Sequence, residues 1–289
     1  MWPQLILSGI AIGSTYGLVA LGFQMTYAVS KTMNFSQGAF VMVGAVLCYR
    51  LNITWGWPAI AAVFATLLVC FALGLLIERW GVRPFARNGS HAWLLSTIAL
   101  GIIAENLAML TFGKEVRGYP SPLADSPVSI FNFGLYPIEF VIPLVGLAIA
   151  IGLRVLFQQT LWGKAFRAAS ENPDTARLLG IPVARLISLS FGLSTVLAGI
   201  AGMLVAPVAN VSATMGTLLG VKAFAAAMIG GLSNPWGVML AGLLYGVVES
   251  VAAGLLGGSY REIVGFAVVV VVLGIRPNGL FGRSRLKKV

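Results

Sequence analysis

A few polar residues interrupt runs that are otherwise apolar. Asn34, Ser36 and Gln37 open one such run, Glu105 and Asn106 lie within another, Lys222 stands beside a glycine-rich stretch, and Glu249 sits in a further run. Amides, hydroxyls and carboxylates in such places could line a path for a polar solute, hold its charged ends, or pass protons. Plainer roles are equally open. Glu105 and Glu249 would serve as helix–helix hydrogen-bonding partners or as protonated buried acids, and Asn34 to Gln37 as the cap of a helix entering an apolar layer. Lys222 is expected at or near a membrane boundary. Asn234-Pro235, within GGLSNPWG, marks either a tight turn between spans or a half-helix end whose backbone dipoles meet a zwitterionic solute.

Other chemistries find no support. His91, the only histidine, borders an apolar span, and there is neither an HExxH nor a GxSxG constellation. A G-x-x-x-x-G-K-[ST] phosphate loop is absent too. Gly113-Lys114 and Gly163-Lys164 follow Ala108 and Gln158 where the first glycine is required. Cys48 and Cys70, inside apolar runs, read as small buried hydrophobes.

One long polar segment remains, QQTLWGKAFRAASENPDTARLLGIPVARL at 158–186. It carries Lys164, Arg167, Arg177 and Arg185, with Arg154 just upstream. Lipid cannot accommodate it, so it projects into water. Asn172 is a good N-cap, Pro173 suits the first helical position, and Asp174 favours the positive end of the dipole. Gly180 is placed to end the helix in a left-handed conformation, and Pro182 prevents its continuation. Two turns are too few to persist alone in water, so this helix needs a surface. Ala176 and Leu179, three apart, are expected on one face beside Leu178, with Arg167 and Arg177 offering charge. The segment is either a shaped docking helix or an ordinary solvated basic loop.

The rest of the chain must position these groups. It has 289 residues, 58% hydrophobic and only 10% charged, with a mean hydropathy of +0.92; a soluble domain carries about 25% charged residues. This is the composition of an all-α polytopic membrane protein. Apolar segments near 4–29, 36–50, 59–77, 93–112, 137–157, 187–207, 218–233, 236–256 and 262–275 give eight or nine crossings. The segments at 36–50 and 218–233 are short enough to be broken or re-entrant. The first segment reads as a retained span, not a signal peptide. No linker divides residues 1–289, so a single transmembrane domain is expected.

The net charge of +10 lies in short loops, which fits the positive-inside rule rather than nucleic-acid binding. Arg79, Arg83 and Arg87, the 158–186 loop, and Arg276, Arg283, Arg285, Lys287 and Lys288 of the tail fall on one side, expected to be cytoplasmic. Residues 113–136, rich in Pro, Ser and Gly, are expected outside as a lid or a partner contact. Gly9, Gly13 and Gly17 share a helix face, as do Gly242 and Gly246, and Ala198 and Gly202 form a looser version. Such spacing marks close helix contacts, within the chain or with a partner. NFSQGAFVMVGA near residue 34 and AMIGGLSNPWGVMLAG near residue 227 have a similar texture and suggest an inverted repeat.

WGKAFRAASENPDTARLLGI resembles the cytoplasmic coupling segment of permease subunits from bacterial ABC importers of the branched-chain amino-acid type. Arg167, Ala168 and Ala169 stand where the more widespread coupling motif has Glu-Ala-Ala. GSTYGLVALGFQMTYAVSKTMNFSQGAF from Gly13, MGTLLGVKAFAAAMIGGLSNPWGVMLAGLLYGVVES from Met215 and RPNGLFG from Arg276 extend the resemblance in order over nearly the whole chain. It is most similar to the shorter of the two permease subunits that pair in these transporters.

The resemblance implies an ATP-driven importer in the bacterial inner membrane. Branched-chain or related amino acids would be its cargo. A second permease subunit, ABC ATPase subunits and an extracytoplasmic substrate-binding protein would be its partners. The chain would hold no cofactor, since the ATPase subunits bind the ATP. Coupling would fall to Arg167, Ala168, Ala169, Asn172, Ala176, Arg177, Leu179 and Gly180. The competing reading is a secondary transporter in which Glu105 or Glu249 carries protons.

Overall fold

Hydrocarbon offers backbone groups no partners, so each apolar run closes its own hydrogen bonds as a helix. The computed structural model describes residues 2–87, 89–125, 128–130 and 133–282. The tail cations Arg283, Arg285, Lys287 and Lys288 lie outside them. In chain order the helices are α1 (Trp2–Ser30), α2 (Gln37–Tyr49), α3 (Ala59–Leu76), α4 (Arg83–Arg87), α5 (Trp93–Phe112), α6 (Pro122–Asp125), α7 (Ile138–Gln159), α8 (Leu161–Glu171), α9 (Pro173–Leu178), α10 (Val183–Ala209), α11 (Met215–Gly230), α12 (Pro235–Leu256) and α13 (Tyr260–Ile275). Between α6 and α7 a short antiparallel hairpin pairs β1 (Val128–Ile130) with β2 (Phe133–Leu135). π-helical turns at Arg50–Thr54 and Ile77–Val82 extend α2 and α3.

Among the described residues, six helices (α1, α3 with its extension, α5, α7, α10 and α12) are long and apolar enough to cross a membrane. α2, α11 and α13 are shorter. The chain is a multi-pass integral membrane protein. Its ends sort onto two faces. The loop face bears α8 and α9; the hairpin face bears β1 and β2. All seven tryptophans fall at these two levels, with Trp2, Trp55 and Trp57 at the hairpin face and Trp80, Trp93, Trp162 and Trp236 at the loop face. Indole rings favour the headgroup region, so the two levels bracket the hydrocarbon.

Glycine sets the closest contact. α1 and α12 lie antiparallel with Gly9, Gly13 and Gly17 against Gly242 and Gly246. A Cβ on Gly13 would meet the Gly242 carbonyl oxygen at 2.7 Å and Leu243 Cα at 2.8 Å. The glycine rows therefore join helices of this same chain. Gly13→Val is expected to cost about 1–3 kcal/mol by overpacking, read as a lower unfolding temperature in detergent. Gly152→Val, with open space around it, should leave that temperature unchanged.

An inverted repeat organises the bundle. α10 packs against α3 as α1 packs against α12, α1 and α10 pack on each other, and α2 rests on α10 as α11 rests on α1. Lys31 (φ 56°) and Asn210 (φ 61°) are the only non-glycine residues with positive φ among those described, and they follow α1 and α10 respectively. Each begins an extended segment that leads into a short helix, and the two short helices touch at Gly38, Gly216 and Gly220. The repeat thus pairs the stretch near residue 34 with 210–220. The sequence texture matched it to the stretch near residue 227, but that is the turn between α11 and α12. The shared feature is a break after a long helix, which glycine content does not register.

Candidate functional site

The polar loop forms two helices. Thr160 accepts a hydrogen bond from Gly163 N at 3.0 Å and starts α8, whose length the sequence reading missed. The signals were that cap and the spacing of Trp162, Ala165, Phe166 and Ala169 on one side. α9 is built as its residues dictate. Asn172 Oδ1 accepts from Asp174 N and Thr175 N, both at 3.1 Å, and Gly180 adopts φ 79°. Arg177 pairs with Asp174 at 2.9 Å across one turn. Asn172→Ala should destabilise the α9 start by about 1 kcal/mol, seen as faster amide exchange at Asp174 and Thr175.

The two faces of the loop differ. Ala169 and Ala176 are buried, packing with Val29 at the end of α1 and Val183 and Leu186 at the start of α10. Leu178 and Leu179 are 89% and 73% exposed. Ala176 and Leu179, expected on one face, are therefore divided, one buried and one exposed; Ala176 anchors the loop. Arg167 is exposed and Ala168 half-buried, with Arg167 lining a cavity beside α8.

The interior polar residues are mostly pinned. Gln37 Nε2 donates to the Ser194 carbonyl at 2.8 Å, and Ser194 Oγ donates back to Gln37 Oε1 at 2.9 Å. Asn34 Oδ1 accepts from Ser36 N at 3.2 Å and from its hydroxyl, shaping the entry to α2. Lys222 is 4% exposed, enclosed by the bundle. A buried acid brings it there: Glu249, fully buried, holds the Lys222 ammonium at 2.9 Å and Arg261 at 3.3 Å and accepts from Tyr16 Oη at 2.8 Å. The cluster ties α1, α11, α12 and α13 together. Arg261 sits among the acidic and basic residues of the hairpin face in the sequence, with nothing to mark its reach into the bundle.

Glu105 and Asn106 stand apart. Glu105 is half-buried and accepts from the Thr217 hydroxyl at 3.1 Å, while Asn106 faces outward and donates to Ile102 of its own helix at 2.8 Å. They share the outer surface of α5 and α11 with exposed Thr214 and Thr217. Asn234 caps α12 by accepting from Trp236 N at 3.2 Å, so GGLSNPWG is a tight turn at the loop face. On the hairpin face, burial pushes the Tyr119 phenol above its ordinary range, and its hydroxyl donates to Asn52 at 3.1 Å.

Comparison with known proteins decides the family. The family described as branched-chain amino acid transport system / permease component matches residues 5–273. The chain belongs to it. LivH, a high-affinity branched-chain amino acid transport system permease protein of Escherichia coli K12, is 31% identical over 99% of this chain and 97% of its own length. BraD, the protein so described in Pseudomonas aeruginosa, is also 31% identical, over 99% and 97%. The solved structure of PsaBC from Streptococcus pneumoniae in complex with Fab aligns with a TM-score of 0.51 at 15% identity, covering 96% of this chain and 92% of that one. That likeness concerns fold. These findings favour the ATP-driven importer over a proton-coupled carrier, and the engagement of Glu249 by two cations agrees.

Proposed function

We propose that the chain is the membrane-spanning permease subunit of an importer for branched-chain or closely related amino acids, energised by separate ABC ATPase subunits. The carrying observation is α9: a short helix capped at both ends, on the loop face, that leaves Leu178 and Leu179 exposed. Two exposed leucines on a shaped projection suit an apolar groove on a partner. The loop face holds Lys31, Arg79, Arg83, Arg154, Lys164, Arg167, Arg177, Arg185 and Arg276, against Arg50, Lys114, Arg117 and Arg261 at the other. The positive-inside rule makes the loop face cytoplasmic in the bacterial inner membrane, and the ATPase subunits dock there.

The loop is a lever within a single transmembrane domain. Motion at Leu178 and Leu179 passes through Ala169 and Ala176 to the adjoining ends of α1 and α10. These two helices pack on each other at the centre of the repeat, and α12 and α3, packed against them, travel with them. Closure of the ATPase dimer would so tilt both halves of the bundle and switch access between faces. Asn172, Arg177 and Gly180 hold the lever's shape, and Arg167 and Ala168 its flank.

The solute passes along the outer surface of α5 and α11, against a second permease subunit. Glu105, Asn106, Thr214 and Thr217 supply polarity there, whereas Asn34, Ser36, Gln37, Lys222 and Glu249 keep the helices in register. A binding protein delivers cargo at the hairpin face. Glu105→Leu tests this route: leucine uptake by the assembled transporter should fall about tenfold while ATPase assembly persists, a loss near 1.4 kcal/mol. Unchanged uptake would place the route elsewhere.

A further inference from the structure

A cavity of about 1260 Å³ opens on the loop face between the ends of α1 and α7, the length of α8, the α11–α12 turn and residues 277–282. Neither α9 nor the polar surface of α5 lines it; α8, the flank of the lever, forms one wall. Its chemistry changes with depth. α1 and α7 both run toward the loop face, so Leu21 and Ala150 lie deepest, Leu153 and Arg154 follow on α7, and Lys31 and Arg167 stand at the mouth. Ten residues of α1 separate Leu21 from Lys31, or about 15 Å along the helix.

The cations come from three different elements. Arg154 stacks over the Trp236 ring, 5.5 Å from its centroid, and donates to Gln158 Oε1 at 3.3 Å. Lys31 donates to the Ala28 carbonyl at 3.0 Å and lies 5.4 Å from the Tyr27 ring centroid. Neither Arg154 nor Arg167 belongs to an ion pair among the described residues. Glu171 is the one acid among the lining residues, which leaves the mouth net positive.

The position selects the ligand. Trp236 and Trp162 put the mouth at headgroup level, and α7 exposes Leu144, Leu147, Ile151 and Val155 beside it. Such an apolar outer face suits contact with acyl chains. We propose that the cavity holds an anionic phospholipid, its phosphodiester between Arg154, Arg167 and Lys31 and an acyl chain against Leu21, Ala150 and Leu153. Basic pockets between spans at a membrane surface recognise such headgroups. A free phosphate would satisfy the cations and leave the apolar depth unfilled.

The test uses the full chain, purified in mild detergent and stripped of lipid, with native mass spectrometry against phosphatidylglycerol and phosphatidylcholine. Phosphatidylglycerol should bind in preference, and Arg154→Gln combined with Lys31→Gln should weaken it ~30-fold, to the phosphatidylcholine level. Arg154→Lys should keep most of the preference. Arg185→Gln, which removes a cation of the same face outside the cavity, should leave it intact and shows that general surface charge is not the cause. Two results would overturn the proposal: an undiminished preference in the double variant, or complete displacement of the lipid by millimolar inorganic phosphate. Neither depends on transport, so the outcome is separate from that of the importer reading.

Discussion

Replacing Leu178 and Leu179 together with aspartate is expected to abolish coupling and leave the bundle intact. Both side chains are largely exposed, at 89% and 73%, so the isolated chain loses no packing. Seated in a partner's groove, each leucine would contribute about 2 kcal/mol. Losing both, and burying charge in their place, should lower the affinity for the ATPase subunits by ~1000-fold or more. Co-purification with those subunits and ATP-driven leucine uptake should vanish together, while the unfolding temperature of the isolated chain stays at the wild-type value. Wild-type uptake by this variant would remove the basis for the lever.

Glu249→Ala carries the largest expected cost in stability. It leaves Lys222, 5% exposed at the side chain, as an unpaired buried cation, and takes a partner from Arg261 and from Tyr16. Breaking a buried pair from one side costs roughly 3–5 kcal/mol. Replacing Glu249 by Leu together with Lys222 by Met removes both charges, and Arg261, 32% exposed, can turn to the water at the hairpin face. The double variant should therefore melt well above the single one in detergent. Equal melting temperatures for wild type and Glu249→Ala would mean that the cluster does not hold α11, α12 and α13 to α1. Tyr16→Phe should cost only about 1 kcal/mol, the worth of one hydrogen bond.

The comparison of sequence and structure separates local from long-range information. Helix spans, glycine contacts and the caps of α9 depend on residues a few positions apart, and their spacing was sufficient to read them. The pairing of Gly13 with Gly242 and Gly246 was legible as two rows, though not as one interface. Glu249 was legible as a costly residue, but its partners Lys222 and Arg261 lie 27 and 12 positions away on other helices. Periodicity carries no record of such meetings. The direction in which Ala176 points was hidden for a different reason. A two-turn helix offers too few residues to define a face, and the bundle beneath it, through Val29 and Leu186, decides which side is buried. The true register of the inverted repeat was masked because backbone geometry after α1 and α10 is what recurs, at Lys31 and Asn210, rather than residue identity.

Proteoliposomes provide the most direct measurement of the central claim. The chain is incorporated either alone or with its second permease and ATPase subunits, and radiolabelled leucine accumulation is followed with ATP or with an imposed proton gradient. Accumulation against a gradient only in the full assembly, only with ATP, and lost on replacing Leu178 and Leu179 by aspartate is the predicted result. Accumulation by the chain alone on a proton gradient would contradict it.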